Sequence, residues 1–249
     1  MWILSTRGRP QLCQRLLYSM IAAGTSSPGI VIVDDDNDPA YRSLVLPNGW
    51  DLFLPRERRG QNANLNWVFK MYPNELWYGI LNDDQIVRTT DWDKKLLAKS
   101  TPTNFVSSND GHLGASRMAG GFIIGGNLAR AWGWLSFPAL WHWYADDVWE
   151  AFGRALGNWV YVGDVLVEHC HYKFGKSTFD DTYRQSESQA DSDKACFEQF
   201  MHSEFVFLVE RSRVAIEEAE VLRLKRLAQT SRKIYELRKG SPYGVLYKG

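Results

Sequence analysis

The chain has 249 residues, of which 45% are hydrophobic, 14% aromatic and 23% charged. That composition is globular and excludes a disordered, collagenous or disulfide-dense chain, and the length fits one large domain or one domain with an appendage. Lysine plus arginine equals aspartate plus glutamate, 29 each, which by itself argues against a generic polyanion binder. The balance is uneven along the chain. Residues 211–249 carry ten Lys/Arg against four Asp/Glu, and residues 1–210 carry nineteen against twenty-five, so a −6 body bears a +6 tail.

Cys13, Cys170 and Cys196 lack metal-ligand spacing, and an odd count gives no disulfide framework. The first residues do not form a basic segment followed by a long apolar stretch. No run of 18 apolar residues predicts a membrane span. These features together predict a soluble protein of the reducing cytoplasm with no membrane partner.

In chain order, residues 2–5 read as a short buried strand. Pro10 opens a helical pattern with Leu12, Leu16, Leu17, Met20 and Ile21 on one side, and Gly24 closes it. Residues 29–33 form a second apolar, β-branched run, which completes a βαβ unit of a parallel sheet. A helix is predicted over 62–71, a buried strand over 77–81, a helix from Asp91 to Leu97 and a strand over 104–107. A glycine-rich stretch at 114–126 surrounds Phe122-Ile123-Ile124. A helix follows over 146–156, closed by Gly157, and two short strands, 159–162 and 165–167, flank Gly163-Asp164. One long helix is predicted over about 210–239.

Ligands of open parallel sheets sit beyond the carboxyl ends of the strands. Two predicted strands end there in acidic clusters, Asp34-Asp35-Asp36 and Asn82-Asp83-Asp84. Aspartates also mark ordinary turns, but two clusters on one sheet edge call for a counter-cation. Hard divalent ions take oxygen ligands and usually hold substrate phosphates as well. Neither G-x-G-x-x-G nor GxxxxGK[ST] is present. Trp132, Trp134, Phe137, Trp141, Trp143 and Tyr144 suit stacking on a sugar or base, or equally an aromatic core.

On these residues the chain resembles glycosyltransferases of the glycosyltransferase-A fold, nearest the family-2-like group, over about residues 1–185. Ile3-Leu4-Ser5-Thr6-Arg7-Gly8-Arg9-Pro10 is similar to the family's first strand and T-R-x-R-P turn. Val31-Ile32-Val33-Asp34-Asp35-Asp36 is similar to its second strand. Gly60 followed by Asn66 resembles its G-x5-N helix start, and Ile80-Leu81-Asn82-Asp83-Asp84 its D-x-D motif, with Asn82 where many members have an acid. Ala145-Asp146-Asp147-Val148-Trp149 resembles its x-E-D motif, and Val167-Glu168-His169-Cys170-His171 the late strand that ends in a histidine.

The resemblance implies an α/β, Rossmann-like, mostly parallel sheet flanked by helices. It divides the chain into a catalytic domain at 1–185 and a helical, basic C-terminal extension at 186–249. It implies transfer of a sugar from a nucleotide-sugar, with a uridine diphosphate sugar as donor and Mn²⁺ or Mg²⁺ as cofactor. Thr6, Arg7, Asp34, Asp35, Asn66 and Asp83 would contact the nucleotide, and Lys176 the leaving diphosphate. Asp84, with His169 and His171, would hold the metal. Asp147, beside Asp146, would act as general base, although both acids also suit the first turn of a helix. A zinc site from His169, Cys170 and His171 is an alternative use of that segment. The basic tail suits helix packing, oligomerisation or contact with phosphates; under the last reading the acceptor is nucleic acid, as in phage enzymes that glycosylate hydroxymethylated pyrimidines in the host cytoplasm. A sugar nucleotidyltransferase and a non-catalytic nucleic-acid-binding module are the rival functions.

Overall fold

The computed structural model describes residues 1–34, 39–55, 57–118 and 121–239. β1 (Trp2–Thr6), α1 (Pro10–Ala22) and β2 (Gly29–Val33) form the expected βαβ unit, with β1 and β2 parallel. Proline suits the first helical position, where its missing N–H would have no partner. At the other end Gly24 takes a left-handed conformation (φ 75°) and donates its N–H to Ile21 O.

β3 (Trp50–Phe53) and α2 (Gln61–Met71) come next, followed by β4 (Trp77–Asn82), β5 (Gln85–Val87) and α3 (Trp92–Leu97). β6 (Phe105–Asn109), β7 (Phe122–Gly125), α4 (Gly126–Trp132), α5 (Ala145–Leu156) and β8 (Trp159–His169) complete the sheet region. α6 (Asp181–Glu187), α7 (Ala190–Ser203) and α8 (Phe205–Lys239) close the chain. The eight strands lie in the order β3-β2-β1-β4-β7-β6-β8-β5. β1 to β4 are mutually parallel. β7 runs antiparallel to β4 and β6, β8 runs parallel to β6, and β5 is antiparallel to β8.

Both faces of the sheet are covered, as apolar parallel strands require. Trp2, Leu16, Leu17, Met20 and Trp92 fill the side of α1 and α3, and Ile3, Leu65, Phe105, Phe152 and Phe200 fill the other. Gly79 on β4 is fixed by that packing, because a Cβ there would lie 2.1 Å from the Trp2 ring.

Three expectations change. The segments 159–162 and 165–167 are one strand, β8; its pairing with β6 slips a register after Ser108, so Gly163-Asp164 is absorbed as an irregularity rather than a turn. β3 and β5 are added; both are too short for a periodic signal. The boundary at residue 185 falls inside a continuous core, since Phe200, Leu208 and Val209 belong to the same apolar cluster as Trp132 and Phe152. Trp132 Nε1 also donates 2.8 Å to Ser212 Oγ.

Candidate functional site

A cleft of about 350 Å³ opens at the carboxyl ends of β1, β2 and β4, where Thr6, Arg7, Asp34, Asp83, Asp84, Asp146, His169 and His171 line one space. Asp34 is buried at its floor. Its carboxylate accepts the backbone N–H of Arg59 (2.7 Å) and Gly60 (2.9 Å) and the side-chain amide of Asn64 (3.2 Å), so it anchors the entry to α2. Asp35 lies outside the described residues.

The turn after β4 carries the acid pair. Thr6 Oγ1 donates to Asp83 Oδ2 (2.8 Å), and Arg9 Nη1 stands 3.4 Å from Asp83 Oδ1. Burial and the neighbouring Asp84 push the Asp83 carboxyl up to about 6, against the pull of Arg9 and Thr6. Tyr183 Oη donates to Asp84 Oδ2 at 2.8 Å. Asp84 Oδ1 is buried 3.2 Å from His169 Nε2, yet makes no aligned hydrogen bond. Burial alone would raise Asp84; the His169 ring and the Tyr183 hydroxyl outweigh it and hold the carboxyl well below the usual range. The same contact holds His169 above its usual value against burial.

The pairing of β5 with β8 creates this contact. It places Gln85 opposite His169, and Cys170 N donates to Asp84 O at 2.8 Å. The 3.2 Å spacing fits a metal edge, since adjacent ligands about 2.1 Å from an octahedral ion stand ~3 Å apart. A buried carboxylate oxygen with no aligned hydrogen bond is an acceptor that such an ion would satisfy. His171 lines the cleft, but its Nδ1 accepts Lys173 N (3.2 Å), and burial lowers it to about 4. Among the described residues, no three of His, Cys, Asp and Glu gather as a metal cage. The three predicted metal ligands are therefore not gathered into a cage: Asp84 and His169 stand together and His171 lines the same cleft, and the zinc reading through Cys170 has no cage to support it.

At the start of α5 the two acids separate. Asp146 lines the cleft, whereas Asp147 pairs with Arg117 (2.5 Å), which also holds Glu150 (2.9 Å), and does not line it. Adjacent helical residues point about 100° apart, so only one of them can face the cleft. Asp146 keeps an open face to water while protein crowds it on the other sides. That crowding and the adjacent Asp147 push it up to about 6.

Two further expectations move. Asn66 does not line the cleft; its amide is spent on Ser136 O (2.7 Å) and on the N–H groups of Leu135 (2.8 Å) and Ser136 (3.0 Å). Lys176 pairs with Glu168 outside the cleft, because the left-handed Gly175 (φ 69°) turns the chain away; Lys173 lines it instead, 4.7 Å over the Trp143 ring.

Of the aromatic run, Trp141 and Trp143 reach the cleft, and Trp132, Trp134 and Phe137 are core. The loop carrying the first pair is pinned by Asp193 of α7, whose carboxylate accepts the N–H groups of Trp141, His142 and Trp143 at 2.8–2.9 Å. In the glycine-rich stretch, a Cβ at Gly125 or Gly126 would strike the carbonyls of Pro102 or Glu75, so those two glycines are required by packing. Gly120 lies outside the described residues.

In the sequence Arg9 reads only as part of the turn after β1, where Arg7-Gly8-Arg9 resembles a thin basic triphosphate loop, and Tyr183 carries no role. Arg9 grips Asp180 through two bonds (2.7 and 2.6 Å) and lies 3.7 Å over the Tyr183 ring, which carries the Tyr183 hydroxyl to Asp84. The arginine and the Asp180–Tyr183 segment are both visible in the sequence, but nothing local links them.

No protein-family model matches the chain, and no curated protein is similar to it in sequence. Its fold does have solved counterparts. A mannosyltransferase from Pyrobaculum calidifontis, in complex with GDP-Man and Mn²⁺, is 16% identical with a TM-score of 0.51, over 94% of this chain and 79% of that one. GalNAc-T7 with UDP, GalNAc and Mn²⁺ is 15% identical with a TM-score of 0.52, over 68% of this chain and 43% of that one, so this chain spans less than half of its length. Glucosyl-3-phosphoglycerate synthase from Mycobacterium tuberculosis, in complex with Mn²⁺, UDP and glucosyl-3-phosphoglycerate, is 12% identical with a TM-score of 0.50, over 70% of this chain and 74% of that one. At these identities the likeness is one of fold, and the chain has a glycosyltransferase-A-type fold.

Proposed function

We propose that the chain is a metal-dependent glycosyltransferase that moves a sugar from a nucleotide-sugar, preferentially a uridine diphosphate sugar, to an acceptor hydroxyl. The observation that carries this reading is one cleft holding both the Asp84–His169 pair and the carboxylate of Asp146. Three fold counterparts are solved with Mn²⁺ and a nucleotide or nucleotide-sugar, which supports the same donor class.

Asp84 and His169 would hold a divalent ion, which would supply positive charge for the diphosphate. Thr6 and Arg9 keep Asp83 in place beside it. Trp141 and Trp143 offer flat faces for the base or the sugar. Asp146 accepts the acceptor's hydroxyl proton while that oxygen bonds to the anomeric carbon. The bond from that carbon to the diphosphate breaks, and the nucleoside diphosphate leaves with the electron pair. Attack opposite the leaving group inverts the anomeric centre.

A sugar nucleotidyltransferase would need free cations in the turn after β1. Arg9 is instead buried and committed to Asp180 and Asp83, which favours the transferase. A hydroxymethylated pyrimidine in DNA as acceptor rests on the basic charge of the C-terminal tail alone.

The test is hydrolysis and transfer across a panel of nucleotide-sugars with and without Mn²⁺. Metal-dependent turnover of at least one donor, lost in Asp84→Asn, is the expected result. Turnover indifferent to metal, or binding of none of the donors, would refute the reading.

A further inference from the structure

The far half of α8 presents a face that none of the described residues covers. Phe205, Leu208, Val209 and Ile216 pack on the body, but every residue over 220–234 is exposed. Val221, Leu224, Leu227 and Ile234 are 45–54% exposed. At about 100° per residue they share an arc of about 140° along the helix. Leu222 lies outside that arc. Lys225 and Arg232 border the arc on one side and Arg223 on the other. Residues 220–234 include five Lys/Arg and one acid, Glu220, which pairs with Arg223 at 3.0 Å, so Lys225 and Arg232 are the bordering cations left for lipid phosphates.

We propose that this segment lies flat on an anionic lipid bilayer, with the Val221–Leu224–Leu227–Ile234 stripe in the headgroup–acyl boundary and the bordering cations on lipid phosphates. Charge complementarity and the apolar stripe together select this occupant. A nucleic-acid backbone would take the cations but offer nothing to four aliphatic side chains. A second copy would cover the aliphatics but bring five more cations against the same segment. An anionic bilayer satisfies both features, and long Lys/Arg stems at the edge of the stripe can reach up to the phosphates. The attachment is peripheral, since no described helix is long and apolar enough to cross a membrane.

The experiment is co-sedimentation of the full chain with phosphatidylcholine vesicles, with or without about 30 mol% phosphatidylglycerol. We expect binding about tenfold tighter to the anionic vesicles, falling steeply between about 0.1 M and 0.5 M salt. Leu224→Ser with Leu227→Ser should weaken it about tenfold, as should Lys225→Gln with Arg232→Gln. All four side chains are exposed, so circular dichroism of the variants should match the parent. Equal binding to both vesicle types, or full binding by the serine pair, would overturn the proposal. Tighter binding to double-stranded DNA that the serine pair leaves intact would assign the segment to nucleic acid instead. A dimer in analytical ultracentrifugation that the serine pair dissolves would assign it to a second copy.

Discussion

Oδ1 of Asp84 and Nε2 of His169 stand 3.2 Å apart in the lining of the cleft, brought together by the antiparallel pairing of β5 with β8. The other Asp84 oxygen is held by Tyr183. One oxygen is thus held by a hydrogen bond, and the other faces the His169 ring without an aligned one.

Asp146 and Asp147 should behave oppositely. Asp146→Asn should lower kcat by about 10²–10⁴-fold while nucleotide binding persists, and Asp147→Asn should keep activity within about tenfold, since it loses only the Arg117 contact. Because the Asp146 carboxyl is pushed up to about 6, activity should fall as pH drops through that value. The stability effect has the reverse sign. A raised folded-state value means stability is present at low pH and lost as pH rises through about 6, so Asp146→Asn should stabilise the protein at about pH 8. Screening by the cleft water reduces the gain to about 1 kcal/mol. Steady-state rates and urea melts against pH check both statements.

Tyr183→Phe removes the hydroxyl that orients Asp84 without changing the ring that Arg9 covers. Mn²⁺ affinity, read by electron paramagnetic resonance in the presence of UDP, should fall about tenfold while the melting curve stays near that of the parent. Unchanged Mn²⁺ affinity would detach Tyr183 from the site.

Asn66→Ala separates the sequence reading of that residue from its structural place. Three hydrogen bonds to residues 135 and 136 are lost, with a cost of about 1–3 kcal/mol in urea unfolding. The folded variant should bind UDP as tightly as the parent.

The near half of α8 belongs to the core and the far half does not. Leu208→Ala should cost about 2–5 kcal/mol, whereas Val221→Ser should stay within about 0.5 kcal/mol. Equal, small effects in urea melts would restore a separable extension beginning at 186.

The β1–α1–β2 unit and the acids after β2 and β4 were legible in the sequence because they rest on local signals: apolar runs, a proline start, a glycine stop. The choice between Asp146 and Asp147 was not, because it depends on how α5 rotates against the sheet. Nor was the choice between Lys173 and Lys176, which the turn at Gly175 decides. The Asp84–His169 contact needs β5 to pair with a strand far along the chain, and the Arg9–Asp180–Tyr183 grip likewise joins distant segments. The body's acidity was readable as charge, but not which carboxylates face the cleft and which are spent on Arg117 or on backbone amides.

The central claim is that Asp84 and His169 form one edge of a metal site that receives a nucleoside diphosphate. Mn²⁺ titration by electron paramagnetic resonance, with and without UDP, tests it most directly. Mn²⁺ uptake should be strengthened by UDP and weakened at least tenfold in His169→Ala and about a hundredfold in Asp84→Asn. Mn²⁺ uptake that ignores UDP and is the same in both variants as in the parent would contradict it.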